Sequence, residues 1–239
     1  MERFILFLAF AFSIFSESGL SGSVSNNCGS GFFQRGAPDT IEKQILFNGR
    51  IWRNLYSRVK GDQFLFSNEF LPGRVAIGNK SFDNVSIKYD ILNDEILVLS
   101  DKGMVVQLNK ENIDSFSLNY HNRTFYFKKL GADTLSTLTG YVNVLVEDNV
   151  SLYIKYRKSI LMLAIDNKYD LFNQFHHIYI RKNGKLYLIN SKKDLINLLS
   201  ENEKQIRNYI NSNKLKVSRK IPDSFVPVVK FYNDLQKHK

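Results

Sequence analysis

The sequence predicts an α+β fold, an antiparallel β-meander sheet or partly open barrel followed by two or three C-terminal α-helices. Three observations carry this. From Asp62 to Leu99, turn residues and two-residue alternation agree over consecutive segments: Val85, Ile87 and Tyr89 share one face while Ser86, Lys88 and Asp90 share the other, the period of a half-buried strand. The same pattern recurs as far as Ile189. Beyond Asn190 the apolar period lengthens from two residues to about 3.6. Strands first and helices last argue for helices packed on one face or end of an antiparallel sheet, not for a doubly wound α/β fold.

The 239-residue chain is long enough to bury roughly 70% of the surface its unfolded form exposes. Its 19 Phe and 12 Tyr lean toward sheet, where aromatic rings pack on a pleated surface. Phe4 to Phe15 is apolar apart from Ser13, too short to span a bilayer comfortably. Ser16 and Ser18 supply a small-x-small pattern, so residues 1–18 read as a secretory signal, the alternative being an uncleaved anchor. Residues 19–40, rich in Ser, Gly and Asn, read as a flexible leader.

Residues 41–190 read as the β domain. Ile45 to Phe47, Asn48-Gly49 and Ile51-Trp52 fit a hairpin, or else a helix from Ile41 to Leu46 running into a loop. Trp52 and Tyr56 read as core aromatics. Gly78-Asn79 and Asp101-Lys102-Gly103 mark turns, and Met104 to Leu108, Ser115 to Tyr120 and Thr124 to Phe127 mark strands around the polar Asn109 to Asn112 and the turn His121-Asn122. Gly140 opens a strand in which Val142, Val144 and Val146 alternate with Tyr141, Asn143 and Leu145. In Ser151 to Arg157, Leu152, Ile154 and Tyr156 point inward and Lys155 and Arg157 point to water. Asp166-Asn167 ends that arm, and His176 to Arg181 pairs with Lys185 to Ile189 about Asn183-Gly184.

Residues 191–239 read as a basic helical part packed on the β domain. Ser191 with Asp194, and Ser200 with Glu203, fit the capping box, in which a hydroxyl accepts from first-turn amides and a carboxylate reaches back. Leu195, Leu198 and Leu199 line the first helix, and Ile206, Tyr209 and Ile210 the second. A third starts near Ser224, with Phe225, Val228, Val229 and Tyr232 at helical spacing and Pro227 inside the first turn.

Chemistry is thinly signalled. One cysteine, Cys28, excludes an intrachain disulfide and a multi-cysteine zinc site. It stands in a leader with nothing to lower its pKa, and Ser25-Asn26-Asn27 before it is no lipidation signal. His176 and His177 are adjacent on a predicted strand, so they face opposite ways and cannot share a metal. Asp90, Asp94 and Glu95 bracket a turn, where carboxylates cap backbone amides. The chain has no Gly-x-Ser-x-Gly, Walker or His-Glu-x-x-His motif, and no cofactor is implied. Asn79, Asn84, Asn122 and Asn149 each head a glycosylation sequon, as chance produces in an Asn-rich chain.

Charge is the one strong bias. From Arg181 onward there are 14 Lys and Arg against 5 Asp and Glu, so nearly all of the whole-chain +10 lies in the last quarter. Lys192, Lys193, Lys204, Arg207, Lys214, Lys216, Arg219 and Lys220 are the candidate contacts to an anionic surface. Solvated helix faces are often lysine-rich for no further reason. A helix-turn-helix over Ser200 to Lys216 is disfavoured by export and by the lack of an Arg-, Asn- or Gln-rich recognition face.

Gly49 to Tyr56, Val59 to Phe66, Phe70 to Gly73 and Lys88 to Ile91 resemble recurring phrases of a family of exported proteins of Bacteroidota. Gly140 to Leu145, Lys168 to Phe172 and Asn213 to Lys216 do too. The resemblance, spanning Phe47 to Asn233, implies a periplasmic, envelope-associated or secreted location and no chemistry. The expectation is therefore a non-enzymatic envelope module that binds anionic envelope lipid or glycan, or another envelope protein, with nucleic acid disfavoured. The alternative is an envelope hydrolase or transferase drawing Asp90, His121 and His177 together from distant strands. A third possibility, a structural role in an envelope assembly, would show an exposed apolar patch or an unpaired sheet edge.

Overall fold

The computed structural model describes residues 44–131 and 138–237. The expected signal, leader and Cys28 lie outside them. Eleven strands form one antiparallel open sheet: β1 Gly49–Ile51, β2 Leu71–Ile77, β3 Lys80–Asp90, β4 Glu95–Leu99, β5 Val105–Leu108, β6 Ile113–Tyr120, β7 Arg123–Leu130, β8 Gly140–Val146, β9 Val150–Ile165, β10 Tyr169–Lys182 and β11 Lys185–Ile189. Helices α1 Lys192–Leu198, α2 Glu203–Ser212 and α3 Val226–Lys237 follow. The fold is thus α+β, with the sheet open rather than closed into a barrel.

The strand order is β1-β5-β4-β3-β2-β6-β7-β8-β9-β10-β11. From β6 onward each strand pairs with its chain neighbour, while β2 to β5 run back the other way. The link from β5 to β6 therefore joins two strands that are not neighbours in the sheet. It does so through a 3-10 turn, Lys110–Asn112, capped by the Asn109 side chain, which accepts from the Glu111 amide. Turns fall at Gly78-Asn79, His121-Asn122, Asp166-Asn167 and Asn183-Gly184, where Asn, Asp and Gly tolerate a left-handed backbone.

Several expectations are corrected. Asn48-Gly49 is not a hairpin turn: Gln44 to Leu46 is helical, and β1 pairs with β5, Gly49 facing Leu108. A Cβ on Gly49 would lie 2.1 Å from the Gln107 carbonyl oxygen, so this approach requires glycine. The β9–β10 hairpin is far longer than the alternation suggested, 16 and 14 residues. β8 shifts register between Val144 and Val146, which breaks the simple valine alternation. Ser200 does not cap α2: it lies inside a 3-10 turn without a side-chain cap, and Glu203 instead pairs with Arg207.

Two clusters form most of the core. In the first, Tyr89 meets Phe116, Phe127 and Tyr141 edge-on at ring-centroid distances of 5.1, 5.3 and 6.1 Å, and Phe116 stacks on Phe127 at 4.6 Å. Each such pair adds about 0.5–1.5 kcal/mol beyond the area it buries. The second lies between the far strands and the helices: Val150, Leu152, Ile178 and Ile180 against Leu195, Ile206, Ile210, Phe225, Val228 and Val229. Ser191 caps α1 as expected, accepting from the Asp194 amide, while Asp194 accepts from the Asn190 amide. Buried Asn233 fastens α3 to the sheet by accepting from the Val150 amide and donating to its carbonyl, both at 2.9 Å.

Candidate functional site

The basic C-terminal surface is built from helix ends as much as from helix faces. In α2, Ile206 and Ile210 are buried while Lys204, Arg207 and Asn211 are exposed, the two sides of one amphipathic helix. The helix ends in a Schellman turn: the Leu215 amide donates to Ile210 and the Lys214 amide to Asn211, with Lys214 in the left-handed region at φ +51°. This sets Lys214 at the negative end of the helix dipole, where a cation is favoured. Lys216, Arg219 and Lys220 follow in the link to α3, and Lys192 and Lys193 open α1. All eight are exposed except Lys192, which is half-buried. Among the described residues, Arg207 is the one of the eight that is ion-paired, to Glu203.

The link also touches the sheet. His176 Nε2 donates to the Arg219 carbonyl at 2.9 Å, and Arg123 holds Asp223 through two hydrogen bonds. Burial, then the Arg219 and Arg157 charges, keep His177 below its ordinary pKa. Its ring lies between those of Phe175 and Tyr179.

The three residues of the hydrolase alternative are not brought together. Asp90 is fully buried, not on a solvent face as its alternation with Ser86 and Lys88 suggested. It accepts from the Leu92 and Asn93 amides, from Asn93 Nδ2 and from Gln63 Nε2, which makes it the organiser of the β3–β4 turn. His121 is an exposed turn residue at φ +46°, and His177 sits midway along β10. Among the described residues, no group of three or more His, Cys, Asp or Glu is placed to hold a metal.

A polar cleft of about 700 Å³ lies between the β8–β9 and β10–β11 turns and the helices. Its charges are compensated. Lys182 donates to Glu201 at 2.9 Å and to the Leu198 carbonyl, Tyr232 donates to the other Glu201 oxygen, and Arg181 pairs with Glu147. None of the eight candidate cations lines it. A second cleft of about 270 Å³ is bordered by half-buried Trp52 and Tyr56 with Arg50 and Glu95.

Sequence reasoning missed a buried ionic centre. Lys155 does not face water: it is 1% exposed. It donates to Asp94 Oδ1 at 2.7 Å and to the Tyr141 carbonyl at 2.8 Å. Tyr89 donates to Asp94 Oδ1 at 2.6 Å, and Lys110, reaching in from the 3-10 turn, donates to Oδ2 at 2.7 Å. The missing side chain of Gly140 leaves the space through which they meet. Burial alone would raise the Asp94 carboxyl, but Lys155, Lys110 and Tyr89 outweigh it and hold the group below its ordinary value. Burial draws the Lys155 ammonium down to about 8, against the opposing pull of Asp94. Arg157 and Lys110 press it the same way. The legible signal was a lone lysine among Leu152, Tyr153, Ile154 and Tyr156, in a strand buried on both faces.

This centre gives a pH prediction. Between about pH 8 and the ordinary lysine value of 10.5 the unfolded chain binds the Lys155 proton and the folded chain does not. This group therefore makes stability rise with pH in that window. Denaturation midpoints from about pH 8 to 9.5, below the tyrosine range, are expected to carry a rising component that Lys155→Met removes. Parallel profiles for the two chains would contradict the assignment.

No helix among the described residues is long and apolar enough to cross a membrane. No family model, no curated protein and no solved structure matches the chain.

Proposed function

We propose that this chain is a non-enzymatic binding module of the cell envelope that attaches to phosphate-bearing lipid or glycan through its basic C-terminal part. The observation that carries the reading is the run of exposed cations with no carboxylate partner among the described residues: Lys193, Lys204, Lys214, Lys216, Arg219 and Lys220. Cations held on helix ends and a short link, over a packed helical layer, can approach a planar anionic surface without unfolding anything. The scattering of Asp90, His121 and His177 favours binding over hydrolysis or group transfer. Export is part of the proposal and rests on the apolar run Phe4 to Phe15 and the small residues Ser16 and Ser18.

The test is the triple substitution Lys204→Gln, Lys214→Gln, Lys216→Gln, assayed by sedimentation with vesicles containing an anionic phospholipid and, in parallel, with a phosphorylated glycan. At about 1 kcal/mol per surface cation, the three changes are expected to weaken binding about a hundredfold. The arm that responds identifies the source of the phosphate. Unchanged binding in both arms would return these lysines to a merely solvated surface.

A further inference from the structure

The cleft bordered by Trp52 and Tyr56 plays no part in the anionic-surface reading, yet it holds a hydrogen-bond acceptor with no donor. Gln63 is 3% exposed and lines this cleft. Its Nε2 donates to Asp90 Oδ2 at 3.2 Å. A carboxylate only accepts, so the amide cannot be turned over and Oε1 is fixed as its free end. No group among the described residues donates to Oε1, and the atom is not sealed from solvent, so it opens on the cleft. The walls are rigid. Trp52 packs on Phe64 at a ring-centroid distance of 5.9 Å, and Tyr56 meets Phe172 edge-on at 6.0 Å. Both rings are thus held in place while remaining half-buried.

We propose that this cleft binds one neutral sugar ring of a saccharide. The C–H face of the ring lies against Trp52 and Tyr56, one hydroxyl donates to Gln63 Oε1, and a second bridges Arg50 and Glu95. Each contact has its reason. C–H groups carry a slight positive charge that suits the negative face of an aromatic ring. Arg50 gives its Nε to Gln107 Oε1 at 2.8 Å, and its Nη2 lies 3.5 Å from Glu95 Oε1. The Arg50 side chain is 74% exposed, so its remaining N–H groups stay open. A hydroxyl can accept from such a guanidinium and donate to the carboxylate beside it. Charge agrees. Arg50 and Arg53 stand against Glu95 in the lining and Asp90 behind Gln63, two of each sign, which favours neither a cation nor an anion. Size agrees as well. At about 270 Å³ the cleft falls just short of the roughly 300–1,000 Å³ of drug-sized sites, so one ring enters and the rest of a chain runs out over the rim.

Trp52 is the sole tryptophan of the chain, so its fluorescence reports on this cleft. The test is titration of the full chain with the methyl glycosides of glucose, galactose, mannose and N-acetylglucosamine, followed by tryptophan emission and by calorimetry. At least one is expected to bind saturably, to change the emission, and to do so equally at low and high salt. Gln63→Met keeps the length of the side chain and removes the acceptor, and is expected to weaken binding about tenfold, the loss of one hydrogen bond. Arg50→Gln, at an exposed position, is expected to weaken it severalfold with an unchanged denaturation midpoint, so the test stands even where Gln63→Met also disturbs Asp90. The Lys204→Gln, Lys214→Gln, Lys216→Gln chain is expected to bind the sugar as the wild type does, which separates this site from the anionic surface. Binding of none of the glycosides overturns the proposal, as does binding that survives both Gln63→Met and Arg50→Gln. A cleft that responds instead to inorganic phosphate or to methylammonium overturns it too, in favour of a charged ligand.

Discussion

Replacing Asp94 by Ala is expected to cost about 3–5 kcal/mol of stability, the range for removing one partner of a buried ion pair. The size follows from what is left behind. Lys155, 1% exposed, would keep the Tyr141 carbonyl but lose its counter-charge. Lys110 and the Tyr89 hydroxyl would lose the same acceptor. The reverse change is milder. Lys155→Met removes a charge that burial already disfavours and leaves Asp94 with Lys110 and Tyr89, so its cost is expected to be clearly smaller. Guanidinium denaturation of both variants and of the double variant measures this. An Asp94→Ala cost below that of Lys155→Met would contradict the arrangement.

Gly140→Ala is expected to cost about 3 kcal/mol or more, although it adds a single methyl group. Gly140 holds φ at +85°, where a side chain adds strain of about 1–3 kcal/mol. The added Cβ would lie 1.7 Å from Asp94 Oδ2 and 3.2 Å from Lys155 Nζ, so the ion pair must also open. The two causes can be separated. In an Asp94→Ala background the collision is gone and the backbone strain remains, so Gly140→Ala should cost less there than in the wild-type chain. Equal costs in the two backgrounds would show that Gly140 serves backbone geometry alone.

The legible parts of the fold were those decided by neighbours in sequence. The turn at Gly78-Asn79, the inward face of Val85, Ile87 and Tyr89, the Ser191 cap and the apolar lines of α1 to α3 all reflect interactions within a few residues, and each stands where the pattern put it. The hairpin expected at Asn48-Gly49 failed for the opposite reason. That dipeptide carries ordinary turn chemistry, but the free edge of β5, more than fifty residues later, offers β1 a better partner than its own continuation. Strand order is non-local in the same way, and no period reports that β2 lies between β3 and β6.

The sites divide likewise. The eight cations were visible because exposure is the default state of a lysine on a polar helix face. Lys155 was not, because alternation assigns a polar residue to solvent whenever the opposite face is apolar. That rule fails for a strand buried on both sides. The carboxylate that neutralises Lys155 is 61 residues away in the chain, and the glycine that admits it opens a different strand. Asp90 was misassigned for a related reason: its four donors come from the turn that follows and from Gln63, and only their convergence makes burial of its charge tolerable.

The central claim, that the basic C-terminal part attaches to an anionic surface, is tested most directly by the salt dependence of binding. Partition of the chain, freed of residues 1–18, onto anionic and neutral vesicles would be measured over a series of ionic strengths. Unpaired surface cations predict binding to the anionic vesicles alone, falling steeply as salt rises, since screening shortens their reach from about 30 Å at 0.01 M to about 10 Å at 0.1 M. Binding that ignores vesicle charge and salt, or no binding at low salt, would contradict it.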